Sequence, residues 1–192
     1  MVLCLFGVCL VCAAILGAVY VVTEDPILQA SKKALEESIG KVLPQGGELG
    51  EAIESDGYLY YESMADGSVA AYAVKSTVIG FGGPLTLMVG VLPDGTVYNT
   101  SVLSHSETPG LGAKCTSDAG FMSQWKGFNG KLAVRKDGGD VDAITASTIT
   151  SRAYTLAVSN AVEFVRSIAS AADDSESEDE IVVAQAMENM EE

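Results

Sequence analysis

Two short stretches of this 192-residue chain concentrate groups able to do chemistry. The first is Asp142-Ala143-Ile144-Thr145-Ala146-Ser147-Thr148-Ile149-Thr150-Ser151, where six of ten residues are Ser, Thr or Asp and a helical pattern follows. The first N–H groups of a helix have no intrahelical partner and carry the positive end of its dipole, so such a start suits an anion. Arg152 adds a positive charge in the first turn. The same composition equally suits an N-cap, in which a side-chain oxygen accepts from those N–H groups. Composition leaves both readings open. The second stretch is His105-Ser106-Glu107-Thr108-Pro109-Gly110-Leu111-Gly112-Ala113-Lys114. Pro109 fixes φ, while Gly110 and Gly112 permit a tight turn and close approach of a ligand to the backbone. Gly80-Phe81-Gly82-Gly83-Pro84 has a similar character, and either glycine-rich segment alone could be a plain connection.

Composition narrows the chemistry. Eleven basic against 26 acidic residues give a net charge of −15, and no Lys/Arg cluster occurs, which argues against nucleic-acid binding. With one histidine and four cysteines, three of them in an apolar run, a zinc site lacks candidate ligands. No metal site is expected. No dinucleotide fingerprint and no general acid–base set is evident either, so no catalytic residue is assigned. His105 is read as a residue at a strand end or as a proton relay. Trp125 is read as a core or interface anchor rather than a stacking platform.

The elements that must position these stretches form an α+β domain. Residues 27–43 carry apolar positions on one helical face, and Pro44 with Gly46-Gly47 stops that helix. Strand-like runs at 57–63 and 68–77 flank the turn Ala65-Asp66-Gly67, and runs at 86–92 and 96–103 flank Pro93-Asp94-Gly95. A second helix is predicted over 151–169, with Ala153, Leu156, Ala157, Ala161, Phe164, Val165 and Ile168 on its apolar face. The expected architecture is an antiparallel sheet with packed helices behind a single N-terminal transmembrane helix.

The two ends differ sharply. Val2–Val22 holds 21 residues without a charge, long enough as a helix to span about 30 Å of bilayer core. It has no basic n-region and is longer than a signal-peptide core, so it reads as a retained membrane anchor. Flanking charge alone does not orient it. Residues 171–192 carry nine acids and no base and should be solvated and mobile. The domain organisation is therefore anchor 1–23, folded domain 24–170 and acidic tail 171–192.

In this order, the anchor, Gly-Phe-Gly-Gly-Pro, the hairpin, Glu-Thr-Pro-Gly-Leu-Gly-Ala-Lys, Phe121 with Gln124-Trp125, and Asp-Ala-Ile-Thr-Ala-Ser-Thr-Ile-Thr-Ser resemble a family. It is the FMN-binding G subunit of the Rnf complex, related to the C subunit of the sodium-pumping NADH:quinone oxidoreductase. The resemblance covers about residues 1–169. In that family the second motif usually reads Ser/Thr-Gly-Ala-Thr, and its last Thr is esterified by the FMN phosphate. Thr145 matches the first position and Thr148 the flavin-carrying one, with Ser147 and Thr150 as the other candidate acceptors. Ala146 stands for the usual Gly, a position where a Cβ brings strain if the backbone is left-handed. Ser147 stands for the usual Ala. Asp142 matches the acid that the modifying flavin transferase is expected to recognise.

The resemblance further implies that the Glu107–Lys114 turn covers the flavin ring. Glu107 and Thr108 belong to that turn, Gly110 and Gly112 would offer backbone N–H groups, Leu111 would pack on the ring face, and Lys114 would favour negative charge on a reduced ring. The implied protein is an electron-transfer subunit that carries covalent FMN in a complex coupling ferredoxin and NAD to Na+ or H+ translocation. Its partners would be other membrane and soluble subunits, a flavin transferase, and membrane lipid. It would lie in the cytoplasmic membrane with its soluble domain outside. The alternatives are the related component of the sodium-pumping quinone reductase, a stand-alone membrane FMN reductase domain, and a purely structural membrane-tethered module.

Overall fold

The computed structural model describes residues 2–188, with side chains described for all but Cys4 and those after Ala171. The acidic tail expected over 171–192 thus lies, from Ala172 on, outside the described side chains, and 189–192 lie outside the described backbone. By packing, the chain forms two units, Met1–Glu37 and Ser38–Glu192.

The first unit is helical. Helix α1 runs Val2–Val42 without a break, with Pro26 inside it, so the expected anchor and the helix expected from residue 27 are one element. Within it, Leu5–Val42 is long and apolar enough to cross a membrane. Pro26 removes one backbone donor from the helix interior. The Thr23 hydroxyl, one turn earlier, donates back to the Val19 carbonyl at 2.8 Å.

The second unit is built on a six-stranded antiparallel sheet. Strands β1 (Glu48–Leu49), β2 (Ile53–Ser55), β3 (Tyr58–Ala65), β4 (Ser68–Ile79), β5 (Pro84–Val91) and β6 (Val97–His105) lie in the order β1-β3-β4-β5-β6, with β2 also on β3. The two expected hairpins form. Asp66 and Gly67 take φ of 53° and 82°, the left-handed pair that a twisted two-residue turn requires. In the next hairpin Asp94 accepts from both the N–H and the hydroxyl of Thr96, at 2.8 and 2.9 Å. The two-residue β1 and the three-residue β2 are additions to the expected strands, too short to leave an alternating pattern.

Strand β5 is internal, and seven of its eight residues are buried, from Leu85 to Val91. Leu85, Leu87, Val89 and Val91 face the main core, where they meet helix α3 (Thr148–Glu188) through Tyr154, Ala157, Val158, Ala161, Val162 and Val165. The alanines let the helix approach the sheet closely, and Phe164 stacks on Tyr58 at 4.8 Å. Leu156, expected on this face, is instead 54% exposed. It sits one position before Ala157 in the four-residue series of Ala153, Ala157 and Ala161. The opposite face of β5 carries Met88 and Gly90 and is covered by the last turn of α1. A Cβ at Gly90 would collide with the Val42 carbonyl, Asn99 Nδ2 donates to the Lys41 carbonyl at 2.9 Å, and Ser101 bonds Ser38 at 3.1 Å.

Between β6 and α3 the chain makes a 3-10 turn at Gly112–Thr116, helix α2 (Ala119–Ser123) and a second 3-10 turn at Arg135–Asp137. Asp118 caps α2 by accepting from Phe121 N–H at 2.9 Å. Trp125 is fully buried, stacked on Tyr154 at 5.3 Å and met edge-on by Phe121 at 5.9 Å. This aromatic cluster ties the long connection to the start of α3, so Trp125 is the core anchor that its composition suggests.

Candidate functional site

The two chemistry-bearing stretches come together. Phe81, Glu107, Thr108, Leu111, Gly112, Ala146, Ser147, Thr148, Ile149 and Thr150 line one cavity of about 350 Å³. That volume is within the ~300–1,000 Å³ typical of small-molecule sites.

Glu107 organises it. Its side chain is buried, its Oε1 accepts from the Phe81 N–H at 2.8 Å and the Gly82 N–H at 3.4 Å, and its Oε2 accepts from the Thr150 hydroxyl at 2.8 Å. One carboxylate therefore joins the loop between β4 and β5 to the first turn of α3. The glycines around it are required by space. A Cβ at Gly80 would strike Glu107 Oε1, and one at Gly112 would strike Glu107 Oε2 and Thr150 Oγ1. This gives the glycine-rich segments a packing role that does not depend on a ligand.

The start of α3 is unusual in its hydrogen bonding. The Ser147 carbonyl accepts from Ser151 N–H at 3.0 Å, which makes Ser147 the residue preceding the helix. Serine is a strong capping residue. Here, however, its buried hydroxyl has no hydrogen-bond partner. Among the described residues no side chain accepts from the N–H groups of Thr148, Ile149 or Thr150. Other hydroxyls at the start are spent locally: Ser151 accepts from the Ile144 N–H at 2.9 Å and donates to the Ser147 carbonyl, and Thr155 donates to the Ser151 carbonyl. Of the two readings the composition allows, an anion site is therefore the one this geometry favours. Ala146 has φ of +63°. A left-handed alanine costs about 1 kcal/mol, which is the strain its substitution for glycine implies.

The cavity fits a flavin nucleotide in kind. Phe81, Leu111 and Ile149, at 66%, 44% and 54% exposed, give the cavity apolar walls. The free donors of α3 and the orphaned Ser147 hydroxyl suit a phosphate. Half-buried Thr148 stands at the first position of the helix, on the cavity wall.

Not every expected residue reaches the cavity. Lys114 is exposed and outside its lining, with its N–H donating to the Leu111 carbonyl at 3.1 Å, because the 3-10 turn directs Gly112 and Cys115 inward. Gly110, φ +76°, lies at the turn's tip, outside the lining. Thr145 is exposed and also outside. Asp142 is exposed and pairs with Arg135 at 2.7 Å, while Gln124 clamps its backbone through bonds of 2.8 and 3.2 Å. Arg152 is held away by a bidentate pair with Asp137, both contacts 2.7 Å, and the guanidinium keeps the Asp137 carboxyl below its ordinary range. His105 accepts the Glu107 N–H on Nδ1 at 3.2 Å, the position of a residue turning off a strand end. Phe81 and Ile149 join the site without having been expected there. The Gly-Phe-Gly-Gly-Pro motif is the available signal for the first, and a lone apolar residue within a Ser/Thr run for the second.

The FMN-binding domain family matches residues 80–163, a stretch that contains every residue lining the cavity. The G subunit of the ion-translocating oxidoreductase complex of Vibrio cholerae is 34% identical over 181 residues, covering 81% of this chain and 84% of that one. Its counterpart from Methanosarcina acetivorans is 33% identical over 81% of this chain and 87% of its own. The G subunit of the proton-translocating ferredoxin:NAD(+) oxidoreductase complex of Clostridium ljungdahlii is 34% identical over 82% and 85%. Among solved structures, the C subunit of the Na(+)-translocating NADH-quinone reductase from Parabacteroides distasonis is 27% identical over 61% of this chain and 72% of that one, with a TM-score of 0.47. With about a third of its residues identical across four-fifths of both chains, the protein belongs to the family of G subunits of ion-translocating oxidoreductase complexes, and it contains an FMN-binding domain.

Proposed function

We propose that this chain is a membrane-anchored electron-transfer subunit that holds FMN covalently, through a phosphoester on Thr148, in a complex linking ferredoxin and NAD to ion translocation. The observation that carries the covalent reading is the start of α3. A serine of the right type precedes the helix without capping it, and Thr148 follows on the cavity wall. The free N–H groups and the Ser147 hydroxyl would bind the phosphate, which keeps one negative charge where the helix dipole favours it. Phe81, Leu111 and Ile149 would exclude water from the ring. When bound, FMN supplies one- and two-electron transfer.

A threonine hydroxyl is a weak nucleophile, so the ester requires a flavin transferase. The Thr148 Oγ–P bond forms as the pyrophosphate of FAD breaks, and AMP leaves. Asp142, exposed beside Arg135, is available to that enzyme. The apolar part of α1 would lie in lipid, with the second unit outside the cytoplasmic membrane and other subunits of the complex as neighbours.

The test is the full chain coexpressed with a flavin transferase. Wild type should give a fluorescent band that survives SDS and an intact mass raised by one FMN less one water. Thr148→Ala should lose both, and Thr150→Val should keep both. A wild-type mass equal to that of the polypeptide alone overturns the proposal.

A further inference from the structure

We propose that Glu107 is the positioning residue of this site and also sets its charge: a buried carboxylate without a cationic partner locks the Phe81 loop to α3 and disfavours an added electron in the cavity. The inference rests on the flavin reading above and assigns the residue that tunes it.

The hydrogen bonds around the group suit a carboxylate. Both backbone contacts to Oε1 come from N–H donors, and Oε2 faces the Thr150 hydroxyl. An ionised carboxylate accepts all three bonds at once. Among the described residues, no lysine, arginine or histidine forms an ion pair with it. Lys114, expected to bring a positive charge, is exposed and outside the cavity lining. Arg152, on α3, is engaged by Asp137. His105, on its own segment, accepts the Glu107 backbone N–H on Nδ1. The 3-10 turn contributes Cys115, fully buried, whose thiol is pushed up to about 11 by burial first and by the charge of Glu107 second. Cys115 therefore stays neutral. The wall of the cavity carries one uncompensated negative charge.

One consequence separates this role from simple packing. A fixed anion raises the cost of adding an electron nearby, the more so in a partly dry site. A residue that only held the loop would not.

The experiment uses the full flavin-loaded chain and Glu107→Gln, which keeps shape and removes charge. Redox titration at neutral pH should find the reduction equilibrium of the variant shifted toward the reduced form by about tenfold. An unshifted equilibrium in a loaded, folded variant overturns the inference and leaves the flavin reading intact. A wild-type chain without flavin overturns both. Should the variant take up no flavin, redox-difference infrared spectroscopy of the wild type with labelled glutamate decides. A glutamate carboxylate band that shifts on reduction supports the inference, and the absence of any such change refutes it.

Discussion

Helices α2 and α3 begin in opposite ways. Helix α2 has five residues and a completed cap, with Asp118 bonded to the Phe121 N–H at 2.9 Å and Phe121 itself buried in the aromatic cluster. Helix α3 is far longer, yet the hydroxyl of Ser147 caps nothing and the residue before it is a left-handed alanine. The short helix needs its cap because it has little else. The long one is held by the sheet along Ala157, Val158, Ala161 and Val165, and so tolerates an open first turn. Stability supplied by packing lets the first-turn donors stay uncapped by a side chain.

The sharpest way to break this contrast is to remove both cap residues. Asp118→Ala should lower the unfolding free energy by about 1 kcal/mol, whereas Ser147→Ala should change it by less than about 0.5 kcal/mol, because no bond is lost. Equal losses in chemical denaturation would mean that Ser147 does cap α3. A finer probe is Ala146→Gly, which relieves the left-handed strain and should stabilise the flavin-free chain by about 0.5–1 kcal/mol, read as a higher denaturation midpoint. A decrease would show that the backbone there is not left-handed. The smallest effect concerns the exposed Arg152–Asp137 pair beside the same turn. The folded Asp137 carboxyl titrates below its ordinary value of 3.8, so the pair's contribution is present above that value and fades as pH falls through the lower folded one. Melting temperature against pH should therefore fall less steeply in acid for Arg152→Gln than for wild type.

Much of this organisation was legible in the chain. Asp66-Gly67 and Asp94-Gly95 announce hairpins because few other pairs meet their backbone demands, and the three- and four-residue spacing of small residues announces α3. The convergence of the Glu107 and Ser147 stretches followed from the family resemblance. What escaped depends on contacts between distant residues. Nothing local says that Glu107 will reach Phe81, 26 positions earlier, and Thr150, 43 positions later. Nor does a lysine adjacent to a glycine-rich turn reveal which way a 3-10 turn will point it. The expected anchor and the helix expected from residue 27 proved continuous, because one missing hydrogen bond at Pro26 did not end α1.

The covering of β5 by Ser38–Leu43 has a practical side. That hexapeptide belongs structurally to the domain although the helix continues through it into the apolar span. Proteolysis ahead of Ser38 should release a water-soluble particle with its sheet intact on both sides. Cleavage beyond Leu43 would strip Gly90 of its lining and leave a sticky, aggregation-prone fragment.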